Sequence, residues 1–353
     1  MKIVFLFVLI MFSLVACVSQ KKITDLEHPQ KGLFEAEIAN AWIPYDLLEN
    51  NPMLKMGIYN DEICFISSKN DTYAVVFYTI NGEKKRSVSI KRGKGPGELT
   101  NPSQSFIRND RLCFYDRNRL LLSIFDMNGK FQSDIQCDKE QSMPYAVDLN
   151  GTTLYYNDPL STKIGIIDFS ESELPKVLKK ITYDTLFTST DAMMSQTPRY
   201  TLPFYDTNTG KLILSETDTA FTLSEFSNDL AFQHILISIP GSYMNLGAYC
   251  NKRYIFIPSM IDFKTLRESS SLKTPFKIHV IDREAGTHSY TLVHKEIIPI
   301  NGLFTILGEI EDYLIIDVTL FDQKTSYAAF SKRKYPTEIR ADHWVLVIKT
   351  PDI

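Results

Sequence analysis

Short apolar runs separated by polar clusters recur along the whole chain, and the clearest set lies within residues 92–131. Runs at 105–107, 112–115 and 121–125 each end at Asn or Asp, and the turn Asn128-Gly129 follows the third. Runs of β-forming residues between such clusters predict antiparallel strands, and Asn-Gly is a favoured hairpin turn. With a further strand near 131–135, this stretch predicts one four-stranded antiparallel sheet.

A similar pair of predicted strands recurs at intervals of about 40 to 60 residues, which is the spacing of propeller blades. Four strands in each repeat predict an all-β, six-bladed β-propeller with four-stranded antiparallel blades. A two-sheet sandwich explains the short strands but not the repetition of this strand pair. The copies are 62–66 with 73–78, 112–115 with 121–125, 153–158 with 164–168, 212–216 with 220–224, 253–257 with 276–282, and 313–317 with 326–330.

The last copy is one strand short, even when the apolar run 344–348 is added to it. Residues 33–47 precede the first copy and contain β-compatible runs with no other sheet to join. We therefore expect a segment of 33–47 to pair with the final blade and close the ring. The propeller domain is accordingly placed at residues 33–353.

The N-terminus has the features of an export signal. Lys2 precedes an apolar stretch at 3–15 that is short for a membrane span. Residues 14–17, Leu-Val-Ala-Cys, resemble a bacterial lipobox, which implies a signal peptide at 1–16 and a diacylglycerol on Cys17. A plain signal peptide with an incidental cysteine is the alternative. Residues 17–32 then predict a lipidated N-terminus followed by a flexible tether.

Composition narrows the function classes. The chain has 353 residues, 44% of them hydrophobic and 12% aromatic, with a net charge of −4. This balance predicts a globular β-rich chain and argues against a nucleic-acid partner. Cys64 and Cys113 take matching places in two neighbouring copies, where we expect buried thiols that are not paired with each other.

A family resemblance rests on residues 93–99, Gly-Lys-Gly-Pro-Gly-Glu-Leu, followed by Pro102 and the strands at 112–116 and 124–130. These residues resemble the six-bladed β-propeller lipoproteins of Bacteroidetes-type bacteria, relatives in shape of NHL-repeat and TolB-like propellers. The resemblance implies the fold for about residues 33–353 and a place in the cell envelope. With Val18 rather than Asp after Cys17, it implies the outer membrane. Most such lipoproteins have no assigned activity, so no function follows.

The glycine-rich stretch lacks the Gly-Lys-Ser/Thr of a phosphate-binding P-loop and predicts an inter-blade crossover instead. Arg92 and Lys94 on that crossover are candidates to meet an anionic group. Tyr145, Tyr205 and Tyr249 fall in or near the first strand of blades and are candidates for stacking on a ligand. No catalytic residue, metal site or cofactor is predicted, because the histidines are scattered and no nucleophile motif occurs.

These features favour a membrane-anchored, extracytoplasmic recognition module that presents a propeller face to a protein, peptide or glycan. Two alternatives stay open. One is a carbohydrate-active hydrolase or lyase on the same scaffold, which acids grouped at the channel mouth would favour. The other is a structural scaffold in an envelope complex, which an exposed apolar patch would favour.

Overall fold

The computed structural model describes strands in all six repeats and the residues that connect several of them. Side chains are described for most of these residues; the exceptions include those of residues 143–182, 204–206, 243–244 and 261–262. The described residues are 23, 26, 28–42, 54–69, 71–108, 110–137, 143–147, 153–158, 163–168, 176–182, 204–206, 211–217, 220–227, 232–240, 243–244, 248–258, 261–262, 277–293, 302–320 and 343–350.

Among the described residues the regular elements are strands, numbered here in chain order. The first fourteen are β1 Leu33–Glu35, β2 Glu37–Trp42, β3 Leu54–Tyr59, β4 Glu62–Lys69, β5 Thr72–Tyr78, β6 Lys84–Lys91, β7 Pro102–Arg108, β8 Arg111–Asp116, β9 Leu121–Asp126, β10 Phe131–Gln136, β11 Met143–Val147, β12 Thr153–Asp158, β13 Lys163–Asp168 and β14 Lys176–Thr182. The others are β15 Phe204–Asp206, β16 Lys211–Thr217, β17 Ala220–Phe226, β18 Phe232–Pro240, β19 Tyr243–Met244, β20 Tyr249–Cys250, β21 Tyr254–Pro258, β22 Ile261–Asp262, β23 Lys277–Asp282, β24 Thr287–Val293, β25 Gly302–Ile310, β26 Tyr313–Leu320 and β27 His343–Lys349.

Most of these strands form meanders of four, in the orders β3-β4-β5-β6, β7-β8-β9-β10, β11-β12-β13-β14 and β15-β16-β17-β18. Two further sheets take strands from both ends of the chain, in the orders β20-β21-β23-β24-β1 and β25-β26-β27-β2. Strands β19 and β22 form a separate small pair. Neighbours are antiparallel except β1 and β24, which run parallel.

The first strands of these sheets contact one another in sequence around a centre. Strand β20 contacts β25, β25 contacts β3, β3 contacts β7, β7 contacts β11, and β11 contacts β15. Each sheet therefore radiates outward from an inner strand. The fold is a β-propeller. The innermost strands surround its channel, and the last strand of each meander lies at the outer edge.

Apolar side chains fill the spaces between neighbouring sheets. Residues 63–66 of β4 are buried in succession, with alternate side chains serving opposite faces. Cys64 packs with Phe114 and Phe125 of the next sheet, whereas Ile63 packs with Ile315 and residues of the last sheet. A sheet with two apolar faces cannot bury both alone, so stacking around a ring is what stabilises it.

The ring closes as expected from the sequence. Glu37–Trp42 pairs antiparallel with His343–Lys349, from Glu37 opposite Lys349 to Trp42 opposite Val345. That strand in turn pairs with Tyr313–Leu320. The place expected for residues 326–330, beside β26, is taken by β27, and 326–330 lie outside the described residues. Alternate aliphatic side chains of β27 are buried on opposite faces of the sheet, as expected for a strand in the interior of a sheet that is covered on both sides.

The expectation of a free tether up to residue 32 is wrong for its described part. Ile23 bridges to Ile237 of β18, and both Ile23 and Leu26 are buried in the cluster that also contains Ile255. The Gln30 and Lys31 amides then donate to carbonyls of β24. Apolar side chains at 23 and 26 gain a buried contact that a solvated tether would not give them. Residues 1–22, with Cys17, lie outside the described residues.

The four cysteines in the described part of the chain are buried thiols rather than disulfides: Cys64, Cys113, Cys137 and Cys250. Cys64 and Cys113 lie on the second strands of neighbouring sheets, which confirms their expected equivalence. Burial raises the pKa of the Cys113 thiol to about 12 and also raises that of Cys64. Both are therefore packing residues with little thiolate character. Within the described part of the chain, no helix has the length and hydropathy to cross a bilayer.

Candidate functional site

The meander order gives the disc two distinct faces. On one face the first strand of each sheet turns into the second, and we call it the hairpin face. The crossover from the last strand of one sheet to the first strand of the next reaches the opposite face, which we call the crossover face. The sequence candidates divide between these faces, with Arg92 and Lys94 on the crossover face and Tyr249 near the hairpin face.

The glycine-rich crossover is held by its own Glu98. One Glu98 oxygen accepts from the Gly95 amide at 2.9 Å, and the other pairs with Lys91 Nζ at 2.7 Å. These two contacts lower the pKa of the Glu98 carboxyl, with the Lys91 hydrogen bond as the largest cause. A Cβ on Gly93 would lie 2.1 Å from Glu98 Oε2, so the missing side chain is what allows this fold-back.

Asp116 fastens the crossover to the next sheet. Its carboxylate, fully buried at the end of β8, accepts from the amides of Thr100 at 2.5 Å, Asn101 at 3.3 Å and Asn118 at 3.1 Å. Arg119 adds a hydrogen bond of 2.7 Å to the Glu98 carbonyl. The conspicuous motif of the sequence is therefore a structural junction between two sheets.

The two cations of the crossover remain at its surface. The Arg92 guanidinium lies 5.7 Å from the centre of the Tyr73 ring, and the Tyr73 hydroxyl donates to the Thr100 carbonyl at 2.9 Å. Lys94 is exposed. Arg92 therefore lies against Tyr73 within the crossover region. Neither Arg92 nor Lys94 lies on the face that contains Tyr249.

The three tyrosines lie on innermost strands: Tyr145 on β11, Tyr205 on β15 and Tyr249 on β20. The side chains of Tyr145 and Tyr205 lie outside what the structure describes, so their proposed contact with a ligand stays a prediction. Tyr249 is half-buried, with its ring stacked on Phe256 at 6.0 Å and an interplanar angle of 29°.

Tyr249 belongs to a polar cluster that joins two innermost strands. Glu309 of β25 accepts hydrogen bonds from the Tyr249 hydroxyl and from Asn251 Nδ2, the latter at 2.8 Å. Asn251 Oδ1 meanwhile accepts from the amides of Arg253 and Tyr254, which fixes the amide orientation. The Asn251 side chain thus spans from the β20–β21 turn to the carboxyl of the next sheet.

Backbone irregularity aims Glu309 at this neighbour. The register of β25 against β26 shifts between Ile306 and Gly308, and such a bulge re-aims the side chains that follow it. Gly308 has φ +149°, and a Cβ there would lie 2.9 Å from the Ile58 side chain and 3.5 Å from the Tyr249 ring. Only glycine lets β25 approach both neighbouring inner strands this closely.

The environment of the Glu309 carboxyl raises its pKa. Burial raises its pKa, the hydrogen bonds from Asn251 and Tyr249 oppose that rise, and the charge of Asp312 adds to it. Burial likewise raises the pKa of the Tyr290 hydroxyl, with Tyr254 and Glu309 contributing. A half-buried carboxyl with a raised pKa, beside fixed donors, is typical of functional sites and also of inter-sheet contacts.

A second tyrosine–carboxylate pair lies farther along the same face. The Tyr59 hydroxyl at the end of β3 donates to Asp110 Oδ1 at 2.9 Å in the β7–β8 turn, and burial together with Asp110 raises the Tyr59 pKa. Strands β20, β25, β3 and β7 are consecutive around the channel, so both pairs lie on one stretch of the hairpin face. We call this stretch the inner arc, formed by Tyr59, Asp110, Tyr249, Asn251 and Glu309.

Sequence reasoning found Tyr249 in this arc and missed its other members. Tyr59 ends a strand that none of the six repeat copies includes, and Asp110 and Asn251 are turn residues with a local explanation. Glu309 and Asn251 are 58 positions apart, and no motif marks either one. Among the described residues no group of His, Cys, Asp and Glu could hold a metal ion.

A buried ion cluster elsewhere serves packing. Glu225 of β17 accepts from Lys211 Nζ and, at 3.2 Å, from Arg283 of the following sheet. Arg283 also donates to the Asn251 carbonyl at 3.1 Å. Because cations on two sides balance this buried carboxylate, it joins two sheets and offers little to a ligand.

Comparison with solved structures agrees with the fold. No family model and no curated relative matches the chain. A member of the DUF4221 family from Bacteroides vulgatus is 10% identical, with a TM-score of 0.51 over 89% of this chain and 98% of that one. A Bacteroides fragilis protein provisionally assigned as exported is 12% identical, with a TM-score of 0.49 over 91% of this chain and 99% of that one. At such identities, likeness shows the fold alone.

A third similar structure carries an enzyme's name. It is a provisionally assigned 6-phosphogluconolactonase from Bacteroides uniformis, 12% identical, with a TM-score of 0.41 over 68% of this chain and 70% of that one. Propeller folds host unrelated functions, so the site of this chain has to be judged on its own residues.

Proposed function

We propose that this chain is a lipid-anchored recognition module of the cell envelope, built as a six-bladed β-propeller. Its lipid would be attached at Cys17, which places the propeller outside the cytoplasm, at the outer membrane. The ligand is a protein, peptide or glycan met by the hairpin face, and the chemistry of the inner arc favours a glycan among these. The module needs no cofactor or metal.

Six blades are supported by the sheets of the described residues. Six sheets have four or five strands each, and the small β19–β22 pair lies apart from them. The last sheet gains its outer strand from residues 37–42, which ties the ends of the propeller domain together. A closed ring leaves no end sheet with an uncovered apolar face.

The inner arc is the observation that carries the binding role. It combines half-exposed tyrosine rings with carboxylate and amide groups at fixed positions on rigid inner strands. Aromatic rings offer apolar area to the faces of sugar rings, and carboxylates accept hydrogen bonds from hydroxyl groups. Rigid strands lower the entropic cost of ordering such groups on binding.

The test is binding of the soluble chain, residues 18–353, to a glycan array and to envelope glycans by calorimetry. We expect Tyr249→Ala and Glu309→Gln each to weaken binding at least about tenfold, the effect of losing roughly 1.4 kcal/mol. The matched control is Glu311→Gln, the same change on an exposed carboxylate two positions away. Equal binding by Glu309→Gln and Glu311→Gln would contradict the proposal.

A carbohydrate-active hydrolase or lyase is the second candidate, and the raised pKa of Glu309 favours it. A carboxyl that holds its proton nearer to neutral pH can act as a general acid toward a leaving oxygen. The two functions separate with one variant, because Glu309→Gln would keep ligand bound while abolishing turnover of an enzyme. Release of reducing sugar by the unmodified chain, absent from Glu309→Gln, would support the enzyme.

A structural scaffold is less well supported. Among the described residues the exposed large apolar side chain is Leu33, at 66% exposure on the outer strand β1. A lone leucine is a smaller feature than the contiguous apolar patch typical of a permanent interface.

A further inference from the structure

We propose that the propeller stands edge-on to the membrane, with the outer edge of the β15–β18 sheet facing the lipid surface. The inference rests on the proposed lipid at Cys17 and adds an orientation to it. Its basis is the docked segment of residues 23–42, which we call the N-terminal strap.

The strap follows the outer edge of the disc across three successive sheets. Ile23 joins β18, with its amide donating to the Leu236 carbonyl at 3.3 Å and its carbonyl accepting from Ser238 at 2.9 Å. Strand β1 then lies parallel to β24, and strand β2 pairs with β27. Each contact is with the outermost meander strand of its sheet, so the strap stays at the rim.

Two buried side chains fix the start of the strap. Ile23 and Leu26 are 8% and 5% exposed and pack with Leu236, Ile237 and Ile255. Removing two aliphatic side chains from water stabilises the docked state. Among the described residues, the first contact of the chain with the propeller is therefore at residue 23, on the edge of β18, rather than at residue 33 on another sheet.

The distance from lipid to propeller is consequently short. Cys17 precedes Ile23 by six positions, which span at most about 20 Å when fully extended. A meander of four strands, spaced about 4.8 Å apart, extends about 14 Å from channel to rim. In the orientation we propose, this short connection holds the β18 edge beside the headgroups, and the channel points sideways. Both faces, including the inner arc, then stay open to ligands.

The experiment compares the height of two fluorescent labels above a bilayer. The full chain is produced with its lipid and reconstituted in vesicles of phosphatidylethanolamine and phosphatidylglycerol that contain an acceptor lipid. One label is placed by Gln233→Cys on β18 and the other by Ser87→Cys on β6, three sheets away around the ring. Both positions are exposed, whereas the described native cysteines are buried and will resist labelling.

We expect energy transfer from position 233 to be at least about twice that from position 87, because the labels differ in height by about 30 Å or more. Leu26→Asp should undock the start of the strap and reduce this ratio toward one. The matched control is Leu33→Asp, the same change at an exposed strap position, which should leave the ratio unchanged. Insertion of ten Gly/Ser residues after Gln20 should also reduce it without altering any packed residue.

The outcomes separate this inference from the function on which it rests. Equal transfer from both positions in a chain whose mass shows the lipid on Cys17 overturns the edge-on orientation and leaves the lipoprotein intact. A ratio that persists in the Gly/Ser insertion variant also overturns it, because orientation would then not depend on the short connection. A mass without lipid on Cys17 overturns both.

Discussion

The crossover at residues 92–101 and the inner arc differ in how they are built and in how visible they are. The crossover is local: Glu98 folds back on Gly95, and Asp116 holds amides within sixteen positions of itself. The inner arc is assembled from turns and strands of different sheets, such as Asn251 with Glu309. The first is a recognisable motif with a structural role, and the second has no motif and carries the proposed site.

This difference teaches that a strong sequence signal can mark a folding junction. Glycines and a carboxylate in a fixed pattern are needed where the chain must turn tightly and satisfy its own amides. A binding surface needs only compatible side chains at one place, which the ring supplies from distant segments. The predictions below test this division between the crossover and the arc.

The largest effect is expected at the junction. Asp116→Ala leaves three backbone amides without their charged acceptor, at about 1.5–3 kcal/mol for such a bond, and we expect the free energy of unfolding to fall by about 3–5 kcal/mol in total. Urea denaturation followed by tyrosine fluorescence measures it. Glycan affinity of the folded fraction should not change.

The control for Asp116 is Asp126 in the same sheet. Its carboxylate also accepts two turn amides, from Asn128 and Lys130 at 2.9 Å each, but in an exposed turn. We expect Asp126→Ala to cost about 1 kcal/mol, since solvent can replace its bonds. Equal losses for the two variants would show that the crossover is not the special junction described above.

A smaller, pH-dependent effect is expected in the arc. The folded-state pKa of Glu309 is raised above its unfolded value, so its stabilising contribution is present at low pH and is lost as pH rises through the folded pKa. Glu309→Gln cannot ionise. Its melting temperature relative to the unmodified chain should therefore increase from pH 4 to pH 8, by scanning calorimetry.

Buried His279 also makes the stability of both proteins depend on pH. Burial, with His288 and Lys277 adding to it, lowers the pKa of His279 to about 3. Because this pKa is depressed, the unfolded chain takes up the proton first, and both proteins lose stability as pH falls below about 6.5. The shared loss cancels in the difference between them. A difference that falls with rising pH would contradict the raised pKa of Glu309.

The smallest effect on stability is expected from the crossover cations. Arg92 and Lys94 are exposed, so the double variant Arg92→Ala/Lys94→Ala should change the free energy of unfolding by less than about 0.5 kcal/mol. If the arc is the binding face, glycan affinity will also be unchanged. A large loss of glycan affinity in the double variant would contradict the arc as the binding face. If the variant Arg92→Lys, which keeps Lys94, then binds normally, the ligand would be assigned to the crossover face.

The sequence by itself determined the local parts of this protein. Apolar runs such as 112–115 and 121–125, with the Asn128-Gly129 turn, predicted neighbouring antiparallel strands because alternation and turn chemistry act over a few residues. The glycine-rich stretch was likewise identified as a crossover, since close backbone approach needs glycine. Closure by a segment of 33–47 followed from counting strands against an unfilled place in the last sheet.

The tertiary structure decided what depends on which segments meet. The strap at Ile23 and Leu26 was expected to be free, because two apolar residues in a polar stretch make no periodic pattern. Strand β26 pairs with β27, which follows it after 22 intervening positions. The sequence had instead predicted residues 326–330 as the partner of β26. Asn251 and Glu309 became partners only because the ring brings consecutive inner strands together and a bulge turns Glu309 toward β20. Such juxtapositions arise from packing of whole sheets, which no short window of sequence contains.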